Sequence, residues 1–526
     1  MPSSADRPRL RDQTAVPWIT PAMLLVVAFI VVPIVNLAAR TITSESVVGV
    51  WRRPGVMDAI RFTLLETVLS TIVTVALGLA PAWAFSRWQF RGRRFMLSTV
   101  TLPFVLPTVV VGASFLELLP AGSNRGLLAV LLAHVYFNLS VIIRTVGPIW
   151  ATIDPMLTSA AHTLGASPTR SFLTVTIPLL RPGLMAATGI VGFMCATSYG
   201  IVRILGGDNT TIEVEIYRRA MSFGDLSGAA TLALAQLLVV AGCLAAWRRR
   251  ERAVTNELAH RGVPRRTPRL AMIVAAASTT IIAIPLISLV ISSARNRGRW
   301  TLAGWRIITD RRSIPGLNID LVSVIIRSMS YAIVATAIAV PVGMLAARLS
   351  ASRSDHARSA ERLLLLPLGA SAVAVGLGIV VTYNDEFIDL RGTWFILPLV
   401  HAVVALPFVI RTIAAVQGAI PLHLRSAAMT LGAPPFRTWR TIEWPLLLPA
   451  VRTTAAMSMA ISLGEFGATS LLTRRDTDTL PIAVDRLLGR SGDLARLAGL
   501  STAVVLLALT ATVFLTLGRS DDGVIR

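Results

Sequence analysis

The sequence predicts an all-α polytopic membrane protein, with about 12 transmembrane helices set out as two homologous six-helix halves. Three observations carry this. Of 526 residues, 54% are hydrophobic and only 15% are charged, and mean hydropathy is +0.67; a soluble chain of this length needs far more charge to cover itself. About twelve apolar stretches approach or exceed the ~20 residues that span a bilayer as helix. Finally, the segment His134–Pro178 recurs as His401–Pro445 at a constant offset of 267 residues, without a gap and with 18 identical positions. Parallel repeats in a membrane chain imply two like halves about an axis along the membrane normal.

Taken in order, the first-half spans lie near 18–39, 62–85, 97–119, 127–147, 184–204 and 229–247. Those of the second half lie near 270–293, 321–347, 363–382, 394–416, 450–472 and 498–518. Pro103, Pro107 and Pro367 interrupt the third and ninth, because proline withholds an N–H and clashes with the preceding turn. The first stretch is too long for a signal-peptide core and reads as an anchor. The domain boundaries follow: a first transmembrane half over 1–250, an Arg-rich linker over 251–269 and a second half over 270–526.

The formal charge of +22 comes from 50 arginines, with no lysine in the chain. Nucleic-acid binding is one reading of such basicity, but arginines gathered at membrane edges are expected from positive-inside topology. With the N-terminus inside, roughly 28 arginines fall on the cytoplasmic side and about 20 on the other. The dense run Trp247–Arg252 then makes the linker cytoplasmic, with both termini on the same side. Cys195 and Cys243 lack partner spacing and read as packing residues.

The repeated block leaves the membrane. Span four is expected to end near Arg144 and span five to begin near Gly183, with Arg411 to Pro449 as the second-half counterpart. Short helices are expected over 158–167 and 425–434, stopped by Gly165 and Gly432. Pro168 and Pro434-Pro435 prevent their continuation, and Pro178 and Pro445 are expected to break the next segment. Ala160-Ala161 and Ala427-Ala428 give a small-residue face suited to a protein groove. An interfacial anchor would instead carry a Trp/Leu face with a basic rim.

The pattern Ala-Ala, three residues, Gly-Ala, an aromatic and then Pro resembles the EAA loop of binding-protein-dependent ABC importer permeases. The resemblance implies the type I ABC importer permease fold, with two loops that dock on an ATPase dimer. It would centre the first loop on Ser159, Ala160, Ala161 and Gly165, with Phe172 and Pro178 behind. The second would centre on Ser426, Ala427, Ala428 and Gly432, with Trp439 and Pro445 behind. Ser159 and Ser426 stand where the family has Glu. The whole chain resembles fused thiamine importer permeases, then ferric-iron ones, through Leu131–Leu139, Thr210–Gln236 and Ser462–Asp493. Gly464–Gly467 is similar to molybdate and sulfate permeases as well, so it marks the superfamily. The implied partners are the ATPase, which would bind ATP and Mg, an extracytoplasmic solute-binding protein and the bilayer, in a bacterial cytoplasmic membrane. No cofactor in this chain and no nucleic acid is implied.

Ser198-Tyr199-Gly200 aligns with Glu465-Phe466-Gly467 at the same offset. Glu465 is ionisable in an apolar span, a costly position that faces either a cavity or a helix partner. Tyr199 and Phe466 would stack on an aromatic cargo, gate a path or pack; Glu117 is a further candidate on the path. Glu213, Glu215 and Asp225 fall in an expected outer loop over 205–228, matched by Asp476, Asp478 and Asp485, where they would meet a binding protein or water. No GxxxxGK[ST] loop exists, so no phosphate cradle for ATP is expected. The six histidines lack metal-ligand spacing, and no nucleophile–base constellation is visible, so neither a metal site nor catalytic residues are assigned. The rivals are a gradient-driven twelve-span transporter and a membrane enzyme on lipid-linked substrates. Both need intramembrane polar clusters that the sequence does not announce.

Overall fold

The computed structural model describes residues 16–42, 47–251, 268–310, 319–348, 355–385, 388–390, 393–474 and 476–517. Most of the linker expected at 251–269 lies outside them, as does each terminus. Ten described helices are long and apolar enough to cross a bilayer, or eleven if one bent pair counts as a span. In chain order the first half has α1 (Thr20–Ala39), α2 (Val56–Arg87), the bent pair α3 (Arg93–Phe104) and α4 (Thr108–Leu118), and α5 (Leu127–Thr152). It continues with α6 (Pro155–Thr163), α7 (Pro168–Ala196), α8 (Gly200–Leu205), α9 (Ile212–Tyr217) and α10 (Leu226–Glu251).

The second half opens with α11 (Arg269–Ser293), α12 (Ala303–Thr309), α13 (Leu321–Ala347), α14 (Asp355–Leu364) and α15 (Ala372–Thr382). It closes with α16 (Ile396–Ala419), α17 (Leu422–Thr430), α18 (Pro435–Gly464), α19 (Gly467–Leu472), α20 (Leu480–Leu488) and α21 (Asp493–Leu517). A short antiparallel hairpin pairs Arg295 with Trp300.

The count of about twelve changes where proline intervenes. The third expected span turns by 100° between α3 and α4, at Pro103 and Pro107. The ninth is reduced to α15, an apolar helix of 11 residues, after a 3-10 turn through Pro367. Spans five and eleven begin earlier than expected: α7 starts at Pro168 and α18 at Pro435. Pro178 and Pro445 break neither. A π turn over Phe172–Thr176 precedes the first, and one over Trp439–Glu443 precedes the second. The wider turn separates each proline ring from the carbonyl four residues earlier, so the helix runs on. Likewise α5 continues past Arg144 to Thr152 and α16 past Arg411 to Ala419.

The chain forms two compact units that cross the repeat boundary. One takes the described residues of 1–40, 324–479 and 509–526; the other takes those of 41–323 and 480–508. Thus α1 joins the second-half core and α11 joins the first. In the second unit α11 is tied to α5 by the Tyr136 hydroxyl, which donates to the Ile282 carbonyl at 3.1 Å. In the first unit Tyr383 donates to the Ala28 carbonyl at 2.8 Å.

Helix packing rests on small residues, since lipid supplies no hydrophobic drive between helices. The buried core of the first unit includes Ala335, Ala339, Ala402, Ala405, Val409 and Ala450. Gly343 lets α13 approach α16 so closely that a Cβ there would lie 2.6 Å from Val409. Gly78 does the same for α2 against Ile142 of α5, at 2.7 Å, and Ile142 is the repeat counterpart of Val409.

Candidate functional site

Two features stand out: the loop helices α6 and α17, and a buried polar network around each repeat-equivalent histidine. Helix α6 starts where the Asp154 carboxylate accepts the Met156 N–H at 2.8 Å, satisfying one orphan donor of the first turn. It is three residues earlier than the expected 158–167, and α17 is likewise earlier than 425–434.

Both helices end in the same way. Gly165 has φ +83° and Gly432 φ +73°, a left-handed conformation that glycine adopts without steric cost. The Gly165 N–H bonds the His162 carbonyl and the Ala166 N–H the Ala161 carbonyl, each at 3.0 Å. In the second copy Gly432 bonds Met429 and Ala433 bonds Ala428, again at 3.0 Å. These are Schellman closures, and the second alanine of each Ala-Ala pair supplies a carbonyl to them.

Ser159, Ala160, Ser426 and Ala427 face outward, whereas Ala161 is half-buried and Ala428 buried. Phe172 stacks on Trp150 of α5 with ring centroids 6.2 Å apart. Trp439 stacks on Phe436 at 6.0 Å and meets Trp444 at 5.4 Å. The first aromatic pair therefore ties α7 to α5 behind the loop, whereas all three rings of the second copy belong to α18; Pro178 and Pro445 are exposed ten residues into α7 and α18.

The sequence reading missed the most exposed apolar residues of these loops. Leu164 is 88% exposed and Leu431 86%, and they are repeat counterparts at the C-cap positions. Met156, Met429 and Phe436 are exposed nearby. A leucine reads as core until the left-handed turn beside it is seen to swing it outward; large exposed apolar groups on a short helix mark a partner surface.

The second feature lies inside the helices. His134 on α5 pairs with Glu66 of α2 through Nδ1, and its Nε2 lies 2.8 Å from the Ser198 hydroxyl. Ser70 donates to the same Glu66 oxygen at 2.9 Å. Glu66 was not singled out from the sequence, although a lone carboxylate in the apolar stretch 62–85 was a legible signal. His401 on α16 has different partners: Nδ1 lies 2.8 Å from Ser462, Nε2 lies 2.9 Å from Thr469, and Glu465 is 3.7 Å away.

The expected path residues are engaged. Glu465 is buried, and its carboxylate accepts the N–H groups of Ala468 at 3.0 Å and Thr469 at 2.9 Å and the Thr469 hydroxyl. It caps the turn into α19. Phe466 and Tyr199 are buried, with the Tyr199 ring 5.5 Å from that of Tyr217. Glu117 pairs with Arg496 at 3.2 Å.

The acids of the expected outer loop are mostly internal. Glu213 accepts from Gln236 at 2.7 Å, Glu215 pairs with Arg219 at 2.9 Å, and Asp225 binds Arg53 and Arg219. Asp478 is buried and accepts from Thr473 at 3.2 Å, and Asp485 pairs with Arg203 at 3.3 Å. Asp476 is exposed.

Comparison with known proteins matches this arrangement. Residues 339–524, which include α17 and its flanking helices, match the family described as "Binding-protein-dependent transport system inner membrane component". The "Thiamine transport system permease protein ThiP" of Brucella abortus (strain 2308) is 27% identical over 492 residues, covering 85% of this chain and 86% of that protein. The ThiP protein of Haemophilus influenzae is 24% identical over 474 residues, 84% of this chain and 85% of its own length. The "Probable sulfate transport system permease protein cysT" of Nephroselmis olivacea is 30% identical over 245 residues, 42% of this chain but 84% of its own. A duplicated, capped loop on a multi-span helical scaffold, matched over nearly its full length by fused permeases, makes this chain a member of the binding-protein-dependent transport system inner membrane component family.

Proposed function

We propose that this chain is the transmembrane permease of an ABC importer for a thiamine-type cargo, worked by ATP hydrolysed on a separate subunit. In this reading α6 and α17 lie on the cytoplasmic side with both termini and seat in clefts of an ATPase dimer. ATP binding draws the loops together and opens the path outward; hydrolysis resets it. An extracytoplasmic solute-binding protein delivers the cargo, and ATP and Mg belong to the ATPase. The supporting observation is the pair of Schellman-closed helices that present Leu164 and Leu431 at equivalent positions. Water gains nothing from two such leucines, whereas an apolar cleft removes each at about 25 cal/mol per Å² buried.

Thiamine is favoured because the fused relatives carrying that name align with this chain over 85% of its length. The sulfate likeness at 30% identity supports a second cargo class, an oxyanion. The test is co-purification with candidate ATPase subunits, comparing wild type with Leu164→Asp/Leu431→Asp. Both side chains are exposed, so the variant should fold normally and lose the ATPase; equal retention would end the coupling reading. Proteoliposomes bearing the complex then decide cargo by ATP-dependent uptake of labelled thiamine, sulfate or ferric iron.

A further inference from the structure

The network around His134 contains a donor set that hydrogen bonding leaves incomplete. Glu66, His134 and Cys195 each offer a ligand atom, and these atoms lie within 4.8 Å of one another. All three residues are at most 1% exposed. Two further acceptors at the same place are buried without a hydrogen-bond partner: the second carboxylate oxygen of Glu66 and the side-chain carbonyl of Asn138. Asn138 is 1% exposed, and its amide nitrogen lies 3.5 Å from the Cys195 sulfur. A buried acceptor with no partner costs about 1–3 kcal/mol, so two beside a thiol and an imidazole call for an occupant.

We propose that Glu66, His134 and Cys195 bind a borderline divalent transition-metal ion, Zn²⁺ by its donor chemistry. One imidazole nitrogen, one thiolate and oxygen donors are the ligands such an ion takes in four-coordinate sites. The ion inserts between Glu66 and His134. Tetrahedral bonds of about 2.0–2.3 Å place ligands some 3–4 Å apart, so the Glu66–His134 pair parts while the wider separations of the cluster close by roughly an ångström.

Charge favours the site in a membrane interior. The Cys195 thiol gives up its proton on binding, and M²⁺ with a carboxylate, a thiolate and a neutral imidazole sums to zero. No net charge is left in an apolar surround, where it would be costly.

The outer shell has the form a metal-bound histidine requires, with its other ring nitrogen held by a partner. His134 Nε2 has Ser198 at 2.8 Å, and Ser70 holds the Glu66 carboxylate at 2.9 Å. The repeat supplies an internal contrast. Ser462 stands at the counterpart of Cys195 and bonds His401 Nδ1 directly at 2.8 Å, so the second network lacks the thiol of the first.

The test uses the full chain without an affinity tag, purified in detergent under reducing conditions and titrated with Co²⁺. The expected result is one cobalt per chain, with tetrahedral ligand-field bands and a thiolate-to-cobalt charge-transfer band that Zn²⁺ displaces. Cys243→Ser should keep these bands; Cys195→Ser should abolish the charge-transfer band, and Glu66→Gln should weaken binding. Ser198→Ala, which removes the partner of His134 Nε2 but no ligand, should lower affinity about 10–100-fold. Absence of the bands in well-folded wild type would overturn the site, as would a charge-transfer band that survives Cys195→Ser.

Discussion

Arg425 on α17 forms an ion pair with Glu443 in the π turn of α18, at 2.8 Å, and the repeat counterparts Thr158 and Thr176 carry no charge with which to do the same. The two loops therefore share their Schellman closure and differ in how they are braced. The first has a capped N-terminus in Asp154; the second begins at Pro421 with no side-chain cap. An ion pair across the loop takes the place of the missing cap.

Breaking that brace should loosen one loop and spare the other. Both partners are partly solvated, so Glu443→Gln should cost about 0.5–1 kcal/mol. Hydrogen exchange should then quicken over Leu422–Thr430, and Pro155–Thr163 should be unchanged. Asp154→Ala should give the mirror result, with a cap loss of about 1 kcal/mol. Equal acceleration of both helices in either variant would show that the loops do not move independently.

A second prediction concerns Glu465. Its carboxylate holds the Ala468 and Thr469 N–H groups at the entry to α19, so Glu465→Ala leaves buried donors unpaired at about 1–3 kcal/mol each. Glu465→Gln keeps one acceptor and should fall between. Thermal unfolding in detergent reads the order wild type, Gln, Ala. A Gln variant of wild-type stability that fails to transport would instead assign the carboxylate to cargo.

Much of this was legible in the sequence because it depended on local chemistry. The 267-residue repeat gave two loops, Gly165 and Gly432 gave their ends, and apolar length gave most spans. What failed depended on three-dimensional context. Pro178 and Pro445 look like breaks until a π turn upstream makes room for them. Glu213 and Glu215 look like a solvated acidic face, yet α9 buries them against Gln236 and Arg219. Which unit α1 and α11 join is fixed by packing partners far along the chain, which no local pattern encodes.

Close helix approach gives a third test. A Cβ at Gly343 would stand 2.6 Å from Val409 within the α13–α16 crossing. Gly343→Val should therefore part the two helices and cost about 1–3 kcal/mol by overpacking. Gly418→Val, with nothing within 4 Å of its Cβ position, is the matched control. A lower unfolding temperature in the first variant and little change in the second is expected.

Asp225 supplies the pH dependence. Burial alone would raise its carboxyl, but hydrogen bonds from Arg53, the Gly228 N–H and Arg219 outweigh this and hold it below the ordinary value of 3.8. A carboxyl depressed by folding stabilises the native state in its charged form. That contribution is fully present above the unfolded value and fades as pH falls through the lower folded value. Asp225→Asn should thus cost about 2 kcal/mol at neutral pH, from charged hydrogen bonds lost, a figure already reduced for solvent screening at Arg53. The gap between variant and wild type should hold steady from neutrality down to about pH 5 and close below 3.8, when unfolding is followed across that range. A gap that widened on acidification would mean the carboxyl is raised in the folded protein and the arginines do not govern it.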